Sequence, residues 1–181
     1  MRIRGVKFPR ASRRRIYKLP MVLFAIVAFA SSGAASSDAP NFTGIWQVNL
    51  EKSTLRGRPV KRLLVKIAHE EPKIVQKIIV SYANGDEESM TFRFETTGEE
   101  SKNAMGGAMA LTKAHWEGSE LVIESTLKAG DRELHFRDHW SLSSDAQTLT
   151  MAHRDDDLAG QISVLEKAPP SAAEKLEKTH E

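Results

Sequence analysis

Short segments in which apolar and polar residues alternate make up most of the chain from position 44 to 166. In residues 132–142, for example, Phe136 and Trp140 share one face while polar residues occupy the other. A period of two is typical of β-strands with one buried face. Asn84-Gly85, the strongest short signal for a hairpin in the chain, separates two such segments. The pattern therefore predicts an all-β fold.

The number and spacing of these segments predict how the strands are arranged. About eight to nine strands follow one another with hairpin-length connections, and no long helical period interrupts them. This is typical of an antiparallel up-and-down meander, which would close into a barrel to remove its exposed edges. A barrel of about eight strands has room for one small ligand. Residues 97–107, rich in Gly, Ser and Asn, are predicted to form a longer flexible loop.

The first 35 residues have the order of a secretory signal peptide. A basic segment is followed by the apolar run from Pro20 to Ala30 and then by small residues. This run is shorter than the roughly 20 residues of a spanning helix. We therefore expect cleavage after Ala34 or Ala35, export to the periplasm or the extracellular space, and no stable membrane anchor afterwards. The segment from Ser12 to Lys18 resembles a twin-arginine export signal, and general secretion is the equal alternative.

The leader also determines how the charge of the chain is interpreted. The 181 residues contain 26 Lys and Arg against 24 Asp and Glu, but eight of the basic residues lie in the first 18 positions. Without the leader, 18 basic and 24 acidic residues remain, a net charge of −6. This argues against a nucleic-acid partner for the mature protein. The chain has no Cys, which excludes disulfides, thiolate zinc sites and a Cys nucleophile.

The sequence after the leader divides into three parts. Residues 36–42 are predicted to form an N-terminal arm and residues 43–167 the barrel. Residues 168–181, which contain the strand-stopping pair Pro169-Pro170, are predicted to form a polar tail without an apolar stripe.

The first strand carries a motif found in a known group of barrels. Gly44-Ile-Trp46 resembles the Gly-x-Trp signature that begins lipocalins and the wider calycin group. The resemblance implies a calycin-like barrel in which Gly44 permits a tight turn and Trp46 fills the closed end. In that group an Arg from a late strand packs across the indole. Arg154 is the best positional match, and Arg137 is the second choice.

Two further segments extend the resemblance to small, secreted, lipocalin-like proteins of bacteria. They begin at Trp116 and at Trp140, so that the matching pieces cover most of residues 41–167. A second lipocalin motif, Thr-Asp-Tyr, is absent, and no room remains for a helix between Arg154 and the last strand. The resemblance therefore implies a plain calycin-like barrel. Periplasmic protease inhibitors are also small Gly-x-Trp barrels, which insert an N-terminal segment into the protease.

Inward-facing side chains are the candidates for binding a ligand. Asp138 is unusual among them because it has the same parity as Phe136 and Trp140 on an apolar face. A carboxylate there must find a partner or have a raised pKa. It can orient a ligand, act as a base, pair with an Arg, or lie solvated at the barrel mouth. The predicted ligand-binding residues are Val65, Ile78, Phe92, Phe94, Leu121, Phe136, Asp138, Trp140 and Met151.

The six His residues do not form a convincing metal site. His135 and His139 lie on one face of a strand but are well over 10 Å apart at about 3.3 Å per residue. His153 and Asp155 are closer, within a charged run. We expect no metal, no cofactor and no catalytic residues. The leading hypothesis is an exported, non-catalytic protein that binds a small, mainly apolar molecule. The alternatives are a protein-binding module, such as a periplasmic protease inhibitor, and a barrel enzyme that uses Asp138.

Overall fold

The computed structural model describes residues 39–156, 160–169 and 172. The predicted signal peptide, its cleavage site and nearly all of the polar tail lie outside these residues. Ten strands form one antiparallel sheet, in which each strand pairs with the next one along the chain except the fourth with the fifth, and the first strand also pairs with the tenth. The strands are β1 (Gly44–Val48), β2 (Val60–Glu70), β3 (Lys73–Tyr82), β4 (Glu87–Glu95), β5 (Ser101–Met105), β6 (Ala108–Glu117), β7 (Glu120–Ala129), β8 (Arg132–Leu142), β9 (Thr148–Asp155) and β10 (Gln161–Lys167).

The predicted fold class is confirmed: the chain is an all-β, antiparallel up-and-down meander that nearly closes into a calycin-like barrel. The predicted count of eight to nine strands was too low, because the sequence analysis did not predict β5. Its residues, Ser101–Met105, fall in the segment 97–107 that the sequence predicts to be a loop. The segment has weak apolar alternation, so the sequence does not mark it as a strand. It is a strand because five of its residues pair with residues of β6.

The side chain of one residue on β5 bridges the two terminal strands of the sheet. Strands β4 and β5 are the terminal strands, and the described residues form no continuous main-chain ladder between them. The amide of Asn103 on β5 spans this gap: its Oδ1 accepts from the Arg93 N–H at 2.7 Å and its Nδ2 donates to the Arg93 carbonyl at 3.0 Å. Asn103 is buried. The amide thus replaces one peptide unit of the missing ladder.

One end of the barrel is filled by stacked aromatic side chains. Phe42 is fully buried and packs against three rings, with centroid distances of 5.8 Å to His69 and 5.7 Å to both Trp116 and Trp140. Phe42 falls in the predicted N-terminal arm, so the last residue of that segment belongs to the core. Trp46 is also fully buried beside it, and its indole N–H donates to the Phe42 carbonyl at 3.0 Å. This aromatic cluster defines the closed end of the barrel.

The polar groups of the closed end satisfy one another. His69 Nδ1 accepts from the Phe42 N–H at 3.2 Å, so in the neutral ring the proton lies on Nε2, 2.8 Å from Glu71 Oε2. Glu71 Oε1 accepts from the Thr96 hydroxyl and from the Trp116 indole. Burial raises the pKa of Glu71, but the hydrogen bonds from Thr96, His69 and Trp116 outweigh it, so the net pKa is lowered.

The predicted partner of Trp46 was wrong: the cation over its ring is Lys167, not Arg154. Lys167 lies opposite Trp46 in the β1–β10 register, and its Nζ is 4.0 Å from the ring centroid. Arg154 is exposed and pairs in register with Arg137 on the outer face of β8 and β9. Parity explains the error, because Met151 on β9 points inward and the residue three positions later must point outward.

Gly44 is favoured by its backbone conformation and lies against the ammonium group that covers Trp46. Its φ of 155° lies in a region that residues with a Cβ rarely adopt. A Cβ at this position would lie 2.6 Å from Lys167 Nζ and 3.4 Å from Trp46 Nε1. Lys167 Nζ also donates to the Thr43 carbonyl at 3.1 Å. At the Gly-x-Trp motif, the backbone of β1 therefore passes close to the ammonium group of Lys167.

Candidate functional site

A partly open cavity of about 320 Å³ lies next to the aromatic cluster and extends toward the opposite end of the barrel. Phe94 and Trp140 take part in both, since their rings meet edge to face at 5.8 Å and also line the cavity. They therefore form its floor. The lining residues are Leu63, Val65, Gln76, Ile78, Met90, Phe92, Phe94, Met105, Thr112, Ile123, Ser125, Asp138, Trp140, Met151, His153, Gln161, Ser163 and Leu165.

Most of the residues predicted to bind a ligand line this cavity. Leu121 and Phe136 do not. Leu121 is fully buried beside Trp140 at the closed end, and Phe136 packs against the His153 ring at a centroid distance of 5.7 Å. Alternation assigns a residue to the inner face but does not give its height along the barrel axis, which explains both errors. The seven that line the cavity are Val65, Ile78, Phe92, Phe94, Asp138, Trp140 and Met151.

The sequence analysis missed most of the polar lining. Thr112 on β6 and Ser125 on β7 face each other, and their hydroxyls lie 3.1 Å apart in a buried hydrogen bond. Gln76 lies between the inward residues Ile74 and Ile78 of β3, and its amide Nε2 is 3.9 Å from Met151 Sδ. Strand parity alone marks these residues as inward, so the sequence contains the signal. The prediction omits them because, apart from Asp138, it includes only apolar inward positions.

The most polar part of the lining is a pair formed by Asp138 and His153. These residues lie opposite each other on β8 and β9, and Asp138 Oδ1 is 2.8 Å from His153 Nδ1. Of the alternatives for Asp138, the structure therefore shows a partnered carboxylate, with His in place of the expected Arg. The hydrogen bond with Asp138 raises the pKa of His153 against the opposing effect of burial, and the charges of Asp138 and Asp155 contribute in the same direction.

Asp155 lies beside this pair at the end of β9. It lies opposite Phe136 in the β8–β9 register and lines a separate recess next to that ring. Its Oδ1 atom is buried and accepts no hydrogen bond from the described part of the chain. His153 thus has two carboxylates near it, one in direct contact and one two residues along the same strand.

The other predicted features of the site can be compared with the structure only in part. Within the described residues, no group of three or more acidic or His side chains is arranged to hold a metal ion. The same ranges contain no helix that is both long and apolar enough to cross a membrane. His135 and His139 lie on β8, where each is near a Glu at the barrel surface, Glu133 and Glu120.

Comparison with known proteins supports the fold and gives no family. No family of known sequences matches the chain, and no curated protein is similar to it in sequence. A secretory abundant heat soluble protein from Ramazzottius varieornatus is 15% identical, with a TM-score of 0.50 over 70% of this chain and 94% of that chain. Zebrafish ileal bile acid-binding protein, in complex with cholic acid, is 15% identical, with a TM-score of 0.46 over 70% and 98%. A Schistosoma mansoni fatty acid binding protein, in complex with arachidonic acid, is 12% identical, with a TM-score of 0.47 over 71% and 96%.

Proposed function

We propose that this chain is an exported, non-catalytic binding protein that holds a small, mainly apolar molecule in the barrel cavity. The observation that carries the proposal is a partly open cavity of about 320 Å³ with a floor of two aromatic rings and walls of aliphatic and Met side chains. Cavities that bind small molecules have this size and this mixture of apolar walls with a few polar groups. Burying apolar ligand surface there contributes about 25 cal/mol per Å² before the costs of association.

The Asp138–His153 pair is better suited to positioning a ligand than to catalysis. A catalytic His that is held by a carboxylate through Nδ1 uses its other ring nitrogen to take a proton from a nucleophile. Among the described residues, the His153 ring is hydrogen-bonded only through Nδ1, to Asp138 at 2.8 Å, and no nucleophile is bonded to its other nitrogen. The nearby hydroxyls of Thr112 and Ser125 are hydrogen-bonded to each other. These contacts support a binding role for the polar residues of the cavity.

Filling the cavity tests this proposal. Ile78 and Val75 lie on the same strand, β3, but Ile78 lines the cavity and Val75 is exposed. We expect Ile78→Trp to weaken the binding of an uncharged apolar fluorescent dye at least about tenfold, a loss of about 1.4 kcal/mol. Val75→Trp adds the same side chain on the outer face and should leave binding unchanged. Equal dye binding by both variants, each folded by circular dichroism, would exclude the cavity as the site.

The protein-binding alternative makes a different prediction at the N-terminal arm. Asn41 donates to the His69 carbonyl and Phe42 fills the closed end, so both residues stabilise the barrel. A deletion that tests the arm should therefore end at residue 40. A protease inhibitor would lose its inhibition when residues 36–40 are removed, whereas a cavity-binding protein would retain its affinity for the dye.

A further inference from the structure

The polar groups in the cavity are arranged unfavourably for an anionic ligand. Among the residues that line it, within the described ranges, the titratable side chains are Asp138 and His153, and there is no Lys or Arg. An apolar molecule with a carboxylate head group would bring its negative charge into a space whose lining has no cation free to pair with it. Burying a charge without a partner costs far more than burying a neutral polar group.

The one cation that is available in the cavity is already neutralised. His153 Nδ1 is bonded to Asp138 at 2.8 Å, and Asp155 lies two residues along the same strand. With His153 protonated, these three side chains together carry one net negative charge. A second carboxylate beside them would be repelled, because like charges at close range repel one another and the side chains of His153 and Asp138 are only 32% and 26% exposed.

A neutral hydroxyl group suits the same surroundings. It can donate to a carboxylate oxygen and also accept from an N–H or O–H group. The cavity offers acceptors on Asp138, and it offers donors among Gln76, Gln161 and Ser163. An alcohol therefore gains hydrogen bonds at this position without moving a charge out of water.

We propose that the cavity selects neutral amphiphiles with a hydroxyl head group, and that Asp138 excludes the corresponding carboxylates. This inference rests on the proposed function, since it names the class of ligand that the same cavity binds. It assigns Asp138 a role in specificity, and it assigns the aromatic floor and aliphatic walls the role of holding the chain of the ligand.

A pair of ligands that differ only in the head group tests the inference. A medium-chain primary alcohol and the acid of the same chain length are titrated against the purified protein with the uncharged dye bound, at a pH where the acid is ionised. We expect the alcohol to displace the dye at a concentration at least about tenfold lower than the acid, a difference of about 1.4 kcal/mol. Equal affinities, or tighter binding of the acid, would overturn the inference.

Two variants show whether Asp138 is responsible. Asp138→Asn keeps the shape of the side chain and removes its charge, so the preference for the alcohol should fall several-fold through tighter binding of the acid. Glu70→Gln removes the same charge from an exposed position at the closed-end terminus of β2 and should leave the preference unchanged. An unchanged preference in folded Asp138→Asn would contradict the assigned role.

A third ligand, the primary amine of the same chain length, is titrated in the same way and separates the inference from the proposed function. Tighter binding of this amine than of the alcohol would show that the site accepts a cation, and it would overturn the selection for neutral head groups while leaving a binding cavity. Failure of the dye and of all three ligands to bind would overturn the proposed function, and the inference with it.

Discussion

The two ends of this barrel interior are built from the same alternating strands but differ in how their polar groups are placed. At the closed end, the indole N–H of Trp46 and the ring nitrogens of His69 all have partners within the protein. In the cavity, Asp138 is paired with His153 and Thr112 with Ser125, but these side chains and that of Ser163 line open space. Polar groups that are satisfied internally stabilise a fold, whereas those that face a cavity are available to a ligand. The comparison predicts that substitutions at the two ends will change different measured quantities.

The largest effect on stability is expected at the closed end. Trp46→Ala should lower the free energy of unfolding by about 3–5 kcal/mol, because it removes a fully buried indole and leaves a cavity. Urea unfolding followed by circular dichroism measures this loss. Phe92→Ala, in the cavity wall and only partly buried, should cost less stability and should weaken dye binding more. The reverse order of the two unfolding free energies would contradict the assignment of the two ends.

The gap between β4 and β5 should respond to the loss of a single amide. Asn103→Ala removes both hydrogen bonds to the Arg93 main chain and should cost about 1–3 kcal/mol of stability. Hydrogen exchange should accelerate first at the amides of β4 and β5. Protection that remains unchanged in those two strands would show that the amide does not hold the barrel closed.

A smaller loss is expected at the cation that covers Trp46. Lys167→Met keeps most of the aliphatic side chain but removes the ammonium group, and should cost about 0.5–1 kcal/mol for an exposed contact of this kind. Arg154→Ala provides the matched control, because Arg154 is exposed on the outer face. Equal losses in thermal or urea unfolding would argue against the contact between Lys167 and the indole.

The two ends should also differ in the sign of their pH dependence. The folded-state pKa of Glu71 is lowered, so its contribution to stability is present above the ordinary pKa of 4.5 and is lost as the pH falls through the lower folded value. Unfolding free energies measured across the acid range should therefore decline, and Glu71→Gln should flatten that decline. A variant with the full acid dependence of the parent would exclude Glu71 as a source of it.

The cavity pair should show the opposite trend near neutral pH. The folded-state pKa of His153 is raised, so its contribution is fully present below the ordinary pKa of 6.5 and is lost as the pH rises through the higher folded value. An NMR titration of the His153 ring should give a midpoint above 6.5, and Asp138→Asn should lower it. A midpoint that stays the same in that variant would contradict the pairing.

The alternation of the sequence predicted the architecture well because one buried face was enough to place nearly every strand. It failed at β5, where Asn103 is an inward residue without the apolar character that marks the other strands. It also could not place Leu121 and Phe136 along the barrel axis, since a period of two carries no information on height. The Asp138–His153 pair could not be predicted, because it depends on the register between β8 and β9. The turn that connects the two strands sets this register, and alternation within a single strand does not show it.

The most direct test of the cavity uses the methyl groups of its Met side chains. Four of the six Met residues follow the predicted leader: Met90, Met105 and Met151 line the cavity, and Met109 is exposed. With ¹³C-labelled Met methyl groups, a titration with a medium-chain alcohol should shift the NMR signals of the three cavity residues together and leave Met109 unchanged. Shifts confined to Met109, or no shift at saturating alcohol, would contradict a ligand-binding cavity in this barrel.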